Sequence, residues 1–275
     1  MERRWAKRAS AVALAFGAAL AGMGFDLGNA AWAATVPSVV AVAVHPVVLS
    51  GIAVQGPMVA SAVTLYLVNP TSGASLAALR TVPTDGLGNF AIGIQAQRYP
   101  MRLVARGGSF RSEMDGSTIV SPSAVSLLLP ARATSLSGIS INPMTTFIDA
   151  LARARLNAGG TTLTAALSSA TAKIESYYGL STDPGTLAPD YTAVGVGTDA
   201  GKLGLILGAL INEDQHLCPG KPGGLIAALK ADISDGHFDG RKAGVAVSYC
   251  GESCRRLQGP ATFRMHSREF SSFRT

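Results

Sequence analysis

Closely spaced turn signals divide residues 51–130 into short apolar runs, and this pattern constrains the fold more than any other feature of the chain. Gly, Pro, Asn and Asp favour turns because they supply a positive φ, a fixed φ or a side-chain bond to the backbone. The apolar runs predict strands at residues 52–54, 62–68, 90–94, 101–105, 118–120 and 125–129, with a linker between the second and third. Short strands at this spacing indicate an antiparallel β-sandwich over residues 51–130.

The turn that follows the predicted linker reads Thr84-Asp-Gly-Leu-Gly-Asn-Phe90. Asp85 can accept hydrogen bonds from backbone amides two or more residues further on, and Gly86 and Gly88 permit a positive φ. Phe90 then returns the chain to the core as the first inward residue of the next strand. We therefore predict a structural turn that depends on Asp85, Gly86, Gly88 and Phe90.

Together with the segment Gly56-Pro-Met-Val-Ala-Ser-Ala-Val-Thr-Leu-Tyr66, this turn resembles a bacterial module known as carboxypeptidase-regulatory-like or transthyretin-like. The family pattern is a strand of small residues followed by Thr-Asp-x-x-Gly-x-Phe, and the resemblance covers residues 51–130. It implies an Ig-like β-sandwich. In that family the module is a non-catalytic folding or docking unit, so the resemblance implies neither an active site nor a cofactor.

After Pro130 the apolar residues take helical spacing, which predicts a helical region over residues 140–250. Asn142 as the N-cap and Pro143 in the first turn begin the first helix. Further helices are predicted at residues 162–178, 203–217 and 224–233. The fold class is therefore α+β, with an N-terminal antiparallel β-sandwich followed by a small helical region. The Asn-Pro-Met-Thr-Thr segment resembles the start of the helical region that follows such sandwiches in exported bacterial proteins of unassigned function.

Residues 1–33 have the composition of an export signal: a basic start, an apolar run and the small-residue pattern Ala31-Trp-Ala33. We predict cleavage after Ala33, with Ala30 as the alternative, and a location in the periplasm or outside the cell. The apolar run of about 15 residues is shorter than the roughly 20 that a membrane span needs. Residues 34–50 are predicted as an extended leader or a first edge strand, and no transmembrane segment is expected after signal removal.

The formal net charge of +6 is concentrated at the two ends of the chain. Residues 1–33 carry +2 and residues 254–275 carry +4, which leaves residues 34–253 neutral. A nucleic-acid partner requires a basic face on the folded part of a protein. The neutral body therefore argues against nucleic-acid binding.

Residues 254–275 form a basic tail that has two interpretations. One is a disordered basic arm; the other is a reading-frame shift near Ser253, because plausible codons read one base earlier spell a sequence that resembles the continuation of related proteins. Resequencing would distinguish them. With a shifted tail, Cys218 and Cys250 remain as a natural disulfide pair in an exported protein, whereas Cys250 with Cys254 is the competing pair.

The sequence contains no complete catalytic motif. The four histidines lack the spacing of a metalloprotease helix, and no serine lies in a Gly-x-Ser-x-Gly elbow. His216, beside Glu213 and Asp214, is more typical of a polar helix end than of a zinc ligand. Asp232, Asp235 and Asp239 are weak calcium candidates, since calcium takes six to eight oxygen ligands from a flexible loop. Two successive Asp-Gly turns explain the same residues.

These observations favour an exported, non-catalytic binding, adhesion or structural protein of the cell envelope. Its expected partner is an envelope protein or glycan whose identity the sequence leaves open, and no cofactor is predicted. The alternative is an accessory or partial carbohydrate- or peptide-processing enzyme. In that case the clustered carboxylates Asp214, Asp235 and Asp239 are the candidate catalytic groups.

Overall fold

The computed structural model describes residues 46–112, 116–121, 123–131, 134–192, 197–217 and 223–248. The predicted signal (1–33), the predicted tail (254–275), Cys218 and Cys250 lie outside the described residues, as does all but the last part of the predicted leader. The described strands are β1 Pro46–Ala53, β2 Ala62–Val68, β3 Ser75–Pro83, β4 Asn89–Gln95, β5 Met101–Arg106, β6 Ser109–Arg111, β7 Thr118–Val120, β8 Val125–Leu129, β9 Leu136–Ile141, β10 Arg241–Lys242 and β11 Val245–Ala246. The described helices are α1 Pro143–Ala158, α2 Leu163–Tyr178, α3 Asp199–Leu217 and α4 Gly224–Ile233.

The order of these elements confirms the predicted α+β class, with strands first and helices after them. One sheet has the strand order β4-β1-β9 and the other has the order β3-β2-β5-β8. Side chains from both sheets form a common apolar core, because alternate residues of each strand point to the same face. Leu49 of β1, Leu65 of β2, Ile92 of β4 and Leu103 of β5 are fully buried in this core.

Strand β1 lies in the middle of its sheet, so the prediction of an edge strand was wrong. It pairs antiparallel with β4 and parallel with β9, a strand that the sequence did not predict. The register with β9 shifts between Leu49 and Gly51. A Cβ atom at Gly51 would lie 1.9 Å from the carbonyl oxygen of Ile139, so only glycine fits this close approach.

Strand β3 occupies most of the segment that was predicted as a linker. It pairs with β2 at the edge of its sheet, and every residue of β3 except Val82 is exposed. An edge strand that is exposed on both faces shows no alternation of polar and apolar residues. This explains why the sequence pattern did not reveal it.

Helix α1 packs on the outer face of the β3-β2-β5-β8 sheet at β5 and β8. In β8, Leu127 and Leu129 point into the sandwich core, whereas Leu128 between them packs in the helical core with Phe147 and Leu151 of α1. The helix predictions are confirmed: Asn142 caps α1, Pro143 is its first residue, and Gly179 ends α2 in the left-handed conformation. No helix in the described part of the chain is long and apolar enough to cross a membrane.

Candidate functional site

The carboxylate of Asp85 organises the turn between β3 and β4. Its Oδ1 accepts hydrogen bonds from the backbone amides of Leu87 and Asn89, each at 2.8 Å, and its Oδ2 accepts one from Asn89 Nδ2 at 2.9 Å. Gly88 has a φ of +81°, and a Cβ there would lie 2.8 Å from the carbonyl oxygen of Ala53. Gly86 has no positive φ and faces open space, so the turn uses the conformational freedom of Gly88 and not of Gly86.

Thr84 anchors this turn to the sandwich, a role that the sequence interpretation missed. Its buried Oγ1 accepts a hydrogen bond from the amide of Ser61 at 2.9 Å and donates one to the carbonyl oxygen of Met58. Phe90 is buried in the sandwich core directly after the turn. The Thr-Asp-x-x-Gly-x-Phe pattern is therefore a folding device in this chain, with each named position tied to the backbone or the core.

We expect the Asp85 carboxyl to titrate below the usual aspartate value of about 3.9. The side-chain amide of Asn89, followed by the backbone amides of Asn89 and Leu87, lowers its pKa by stabilising the charged form. A lowered pKa in the folded state means that the turn is stabilised above the unfolded value and loosens as the pH falls through the folded value. NMR titration of the carboxyl carbon checks this. A midpoint at or above 3.9 would contradict it, and Asn89→Ala should move the midpoint upward.

A buried ion pair joins the sandwich to the helices. Arg102 of β5 donates from Nε and Nη2 to Asp149 of α1 at 2.9 and 2.8 Å, and both residues are almost fully buried. Ser126 Oγ of β8 donates to the same carboxylate at 2.8 Å. Arg102 also donates to Ser75 Oγ and to the carbonyl oxygen of Gly73, each at 2.7 Å. All three nitrogens of this guanidinium are thereby bonded, which is what a buried charge requires.

The sequence analysis did not identify this pair, because the outer face of an isolated sandwich is expected to be solvated. Arg102 alternates with Met101 and Leu103, so its position predicts an exposed side chain. In the structure, helix α1 packs on that face beside Arg102. This packing places Asp149 opposite Arg102. A charged residue on the outer face of a strand, together with a lone Asp on the apolar side of the following helix, is the signal that could have found the pair.

The Asn142-Pro-Met-Thr-Thr146 segment forms a second buried polar network at the start of α1. Asn142 Oδ1 accepts a hydrogen bond from the amide of Thr145 at 3.0 Å, and Thr145 Oγ1 accepts one from the amide of Asn142 at 2.9 Å. Asn142 Nδ2 donates to Ser140 Oγ and to the carbonyl oxygen of Pro184. Thr146 Oγ1 accepts a bond from the amide of Ser126 at 2.8 Å. The segment therefore connects β8, β9, α1 and the loop after α2.

Replacing Asn142 with alanine should lower the free energy of unfolding by about 2–4 kcal/mol. It removes an N-cap, worth about 1 kcal/mol, and leaves at least one buried polar partner unsatisfied at about 1–3 kcal/mol. Urea unfolding followed by circular dichroism measures the change. Thr162→Ala is the matched control, since Thr162 caps α2 at an exposed position and should cost only about 1 kcal/mol. Equal losses of unfolding free energy in the two variants would show that the buried network adds nothing to stability beyond the cap.

Asp214 of α3 caps the neighbouring helix α4. Its carboxylate accepts hydrogen bonds from the backbone amides of Gly223 and of Leu225, the latter at 2.6 Å. Burial raises the pKa of Asp214, while the two amides lower it. An acceptor at a helix N-terminus satisfies amides that have no partner within the helix. Asp214 therefore has a structural role in the packing of α3 against α4.

The three calcium candidates hold the loop after α4 through backbone bonds. The buried Asp232 Oδ1 accepts from the amides of Asp239, Gly240 and Arg241 at 3.2, 2.9 and 3.0 Å. Asp235 accepts from the amides of His237 and Ala243, and Asp239 accepts from the amide of Arg241. Burial raises the pKa of Asp232, whereas backbone amides lower it. This is the arrangement of Asp-Gly turns, not of oxygens directed at one ion.

No group of three or more His, Cys, Asp or Glu side chains within the described ranges is arranged to hold a metal ion. His216 lies exposed in the last turn of α3, and His237 is exposed in the loop after α4. His45, His266, Cys218 and Cys250 lie outside the described residues. The carboxylate of Asp214 is bonded to the start of α4, whereas that of Asp235 is bonded within the loop after α4.

No protein-family model and no curated protein sequence matches the chain. Among solved structures, the chain is similar to a 9R-lipoxygenase from Cyanothece PCC8801, with a TM-score of 0.23 and 9% sequence identity. The similarity covers 45% of this chain and 24% of the lipoxygenase chain. A similarity at this TM-score carries no argument about the fold or the activity.

Proposed function

We propose that the chain is an exported, non-catalytic binding, adhesion or structural protein of the cell envelope. The observation that carries this proposal is that carboxylates of the described chain are bonded to structural partners. Asp214, Asp232 and Asp235 accept hydrogen bonds from backbone amides, and Asp149 is neutralised by Arg102. A general acid or base must instead reach a substrate proton in a cleft. Carboxylates that serve capping and loop formation support a scaffold rather than an enzyme.

Export is supported by the composition of residues 1–33, and the scaffold role is supported by the two buried polar networks. A binding or adhesion protein needs a surface held in a fixed shape. Here the sheets and the helices share buried contacts, through Arg102 with Asp149 and through Ser126 with Thr146. The surface of the protein, rather than a catalytic cleft, is then available for an envelope protein or glycan.

Two measurements on the purified chain test the proposal. We expect saturable retention of an envelope protein in a pull-down, or of a glycan on an array, without hydrolysis of carbohydrate or peptide substrates. Hydrolysis that is abolished by Asp235→Asn would overturn the proposal in favour of the enzyme alternative. Asp183→Asn is the matched control, because the exposed Asp183 also accepts a hydrogen bond from the amide two residues further on.

A further inference from the structure

The two sheets of the sandwich have unequal numbers of strands. Among the described strands, three (β4, β1 and β9) face four (β3, β2, β5 and β8). Strand β8, at one edge of the larger sheet, is buried throughout, whereas β3, at the other edge, is exposed. Arg80 of β3 pairs with the buried Leu65 of β2, so it belongs to the inner face of the sheet, yet it is exposed. The inner face of β3 therefore extends beyond the smaller sheet.

The edge of the smaller sheet beside β3 is β4, which pairs with β1 on one side, in a register without bulges. Ala53 donates to the carbonyl oxygen of Gly88, and the backbone groups of successive residues in an antiparallel strand point alternately toward and away from the partner. The amide and the carbonyl of Asn89 accordingly bond to Asp85 of the turn and not to β1. The residues of β4 whose backbone groups point away from β1 are therefore Asn89, Ala91, Gly93 and Gln95.

Several of these outward groups have no hydrogen-bond partner among the described residues. Gln97 donates to the carbonyl oxygen of Gln95, and Arg80 Nη1 donates to that of Gly93 at 2.9 Å. The amides of Ala91, Gly93 and Gln95 and the carbonyl of Ala91 remain open. A row of open backbone groups on an edge strand is a template for one more extended strand.

The charge of this edge indicates which strand it fits. Residues 75–83 and 89–100 contain two arginines, Arg80 and Arg98, and no acidic residue. Both arginines are exposed, and neither forms a salt bridge within the described part of the chain. A second copy of the chain would bring two more arginines to the same edge, and like charges placed opposite each other destabilise a strand pair. A strand that carries carboxylates complements this edge instead.

We infer that the open edge of β4 binds an extended acidic segment of an envelope protein as an added strand. The segment forms backbone hydrogen bonds with Ala91, Gly93 and Gln95, and it lies opposite β3, so that four strands face four. One of its carboxylates accepts from the guanidinium of Arg80 in place of the Gly93 carbonyl, which frees this carbonyl for the added strand. The inference rests on the proposed binding role and adds to it the surface and the class of partner.

A synthetic peptide of alternating valine and glutamate, blocked at both ends, is the probe that tests this edge in the full chain. Calorimetry should give a saturable isotherm. At about ten times the Kd, hydrogen exchange at the amides of Ala91, Gly93 and Gln95 should slow about tenfold, because only the unbound fraction exchanges. The same peptide with lysine in place of glutamate should bind about tenfold more weakly or worse, since it places like charges together.

The contribution of Arg80 is measured with Arg80→Gln. This variant should raise the Kd for the glutamate peptide about tenfold, the effect of losing one charged hydrogen bond. Arg111→Gln is the matched control, because the exposed Arg111 of β6 also donates to a backbone carbonyl oxygen, that of Gly116, at 3.1 Å. It should leave the Kd unchanged.

The contribution of the open backbone is measured with Ala91→Pro. This variant removes an outward amide without removing a bond to β1, and it should raise the Kd about fivefold or more. Val120→Pro is the matched control on the edge strand β7. Ser121 donates to the carbonyl oxygen of Gly108, so the preceding amide, that of Val120, also points away from its partner strand. This control should not change the Kd.

Circular dichroism verifies that the four variants fold, and if Ala91→Pro does not, Arg80→Gln and the exchange measurement decide. The inference is overturned if the lysine peptide binds as the glutamate peptide does, or if Arg80→Gln and Ala91→Pro bind the peptide as the native protein does. A dimer of the free chain that Ala91→Pro dissociates would also overturn it, because a second copy would then occupy the edge. Retention of an envelope partner by both variants at the native level would refute this site and leave the proposed function standing.

Discussion

Replacing Asp149 with leucine is expected to destabilise the protein by about 3–5 kcal/mol, the cost of leaving a buried charge without its partner. Arg102 is 5% exposed and would keep its charge, since a guanidinium does not deprotonate in proteins. Ser126 would lose its acceptor as well. Equilibrium urea unfolding, monitored by both circular dichroism and fluorescence, measures the loss of stability. Coincident transitions from the two probes would show that unfolding has two states.

A second substitution separates the charge effect from the packing effect. In the Asp149→Leu, Arg102→Met double variant no charge is buried at this position, so roughly half or more of the lost stability should return. Lys202→Gln is the control for an ordinary ion pair. Lys202 pairs with Asp199 at 3.2 Å near the surface, and its loss should cost no more than about 1 kcal/mol. A loss below about 1 kcal/mol for Asp149→Leu would show that the pair does not hold the sheet and helix together.

Replacing Phe90 with alanine should lower the free energy of unfolding by about 3–5 kcal/mol. Phe90 is 5% exposed and lies in the sandwich core, opposite Gly51 of β1 in the strand register. Gly51 has no side chain that could fill the space, and a larger residue there is excluded by the backbone of Ile139. The cavity should therefore persist in the variant and give a loss near the upper end of that range.

Leu87→Ala is the matched control for this prediction. Leu87 lies three residues earlier, in the same turn, and is 72% exposed. Its removal should change stability by no more than about 0.5 kcal/mol. If both variants melted at the temperature of the native protein, Phe90 would not have the core role assigned to it.

Elements with a continuous apolar run, a regular apolar spacing or a clear cap could be predicted from the sequence. Strands β2, β5 and β8 and all four helices lie close to their predicted positions, because each has a regular apolar spacing or a clear cap. Asn142 with Pro143 predicted the start of α1, and Gly179 predicted the end of α2. These signals are local, so a single sequence contains them.

Features that depend on contacts between distant segments could not be predicted in this way. Strand β3 has both faces exposed, and β9 has Ser or Gly at three of its six positions. Asp214 was considered for chemistry, but its hydrogen bonds to α4 become visible only when α3 and α4 are packed. The role of Arg102 likewise depends on the helix that covers it.

The parallel pairing of β1 with β9 sets the order in which the sandwich can be completed. Leu49 pairs with Leu136, so the earliest described strand must wait for one that is made nearly ninety residues later. Contacts of such large sequence separation slow folding and leave apolar strand edges exposed in the meantime. During synthesis from the N-terminus, β1 and β4 can pair early, but β1 lacks its second neighbour until β9 has been made as far as Ile141. The next residue is Asn142, the N-cap of α1, so the sheet can be completed only when the chain has reached the start of the first helix.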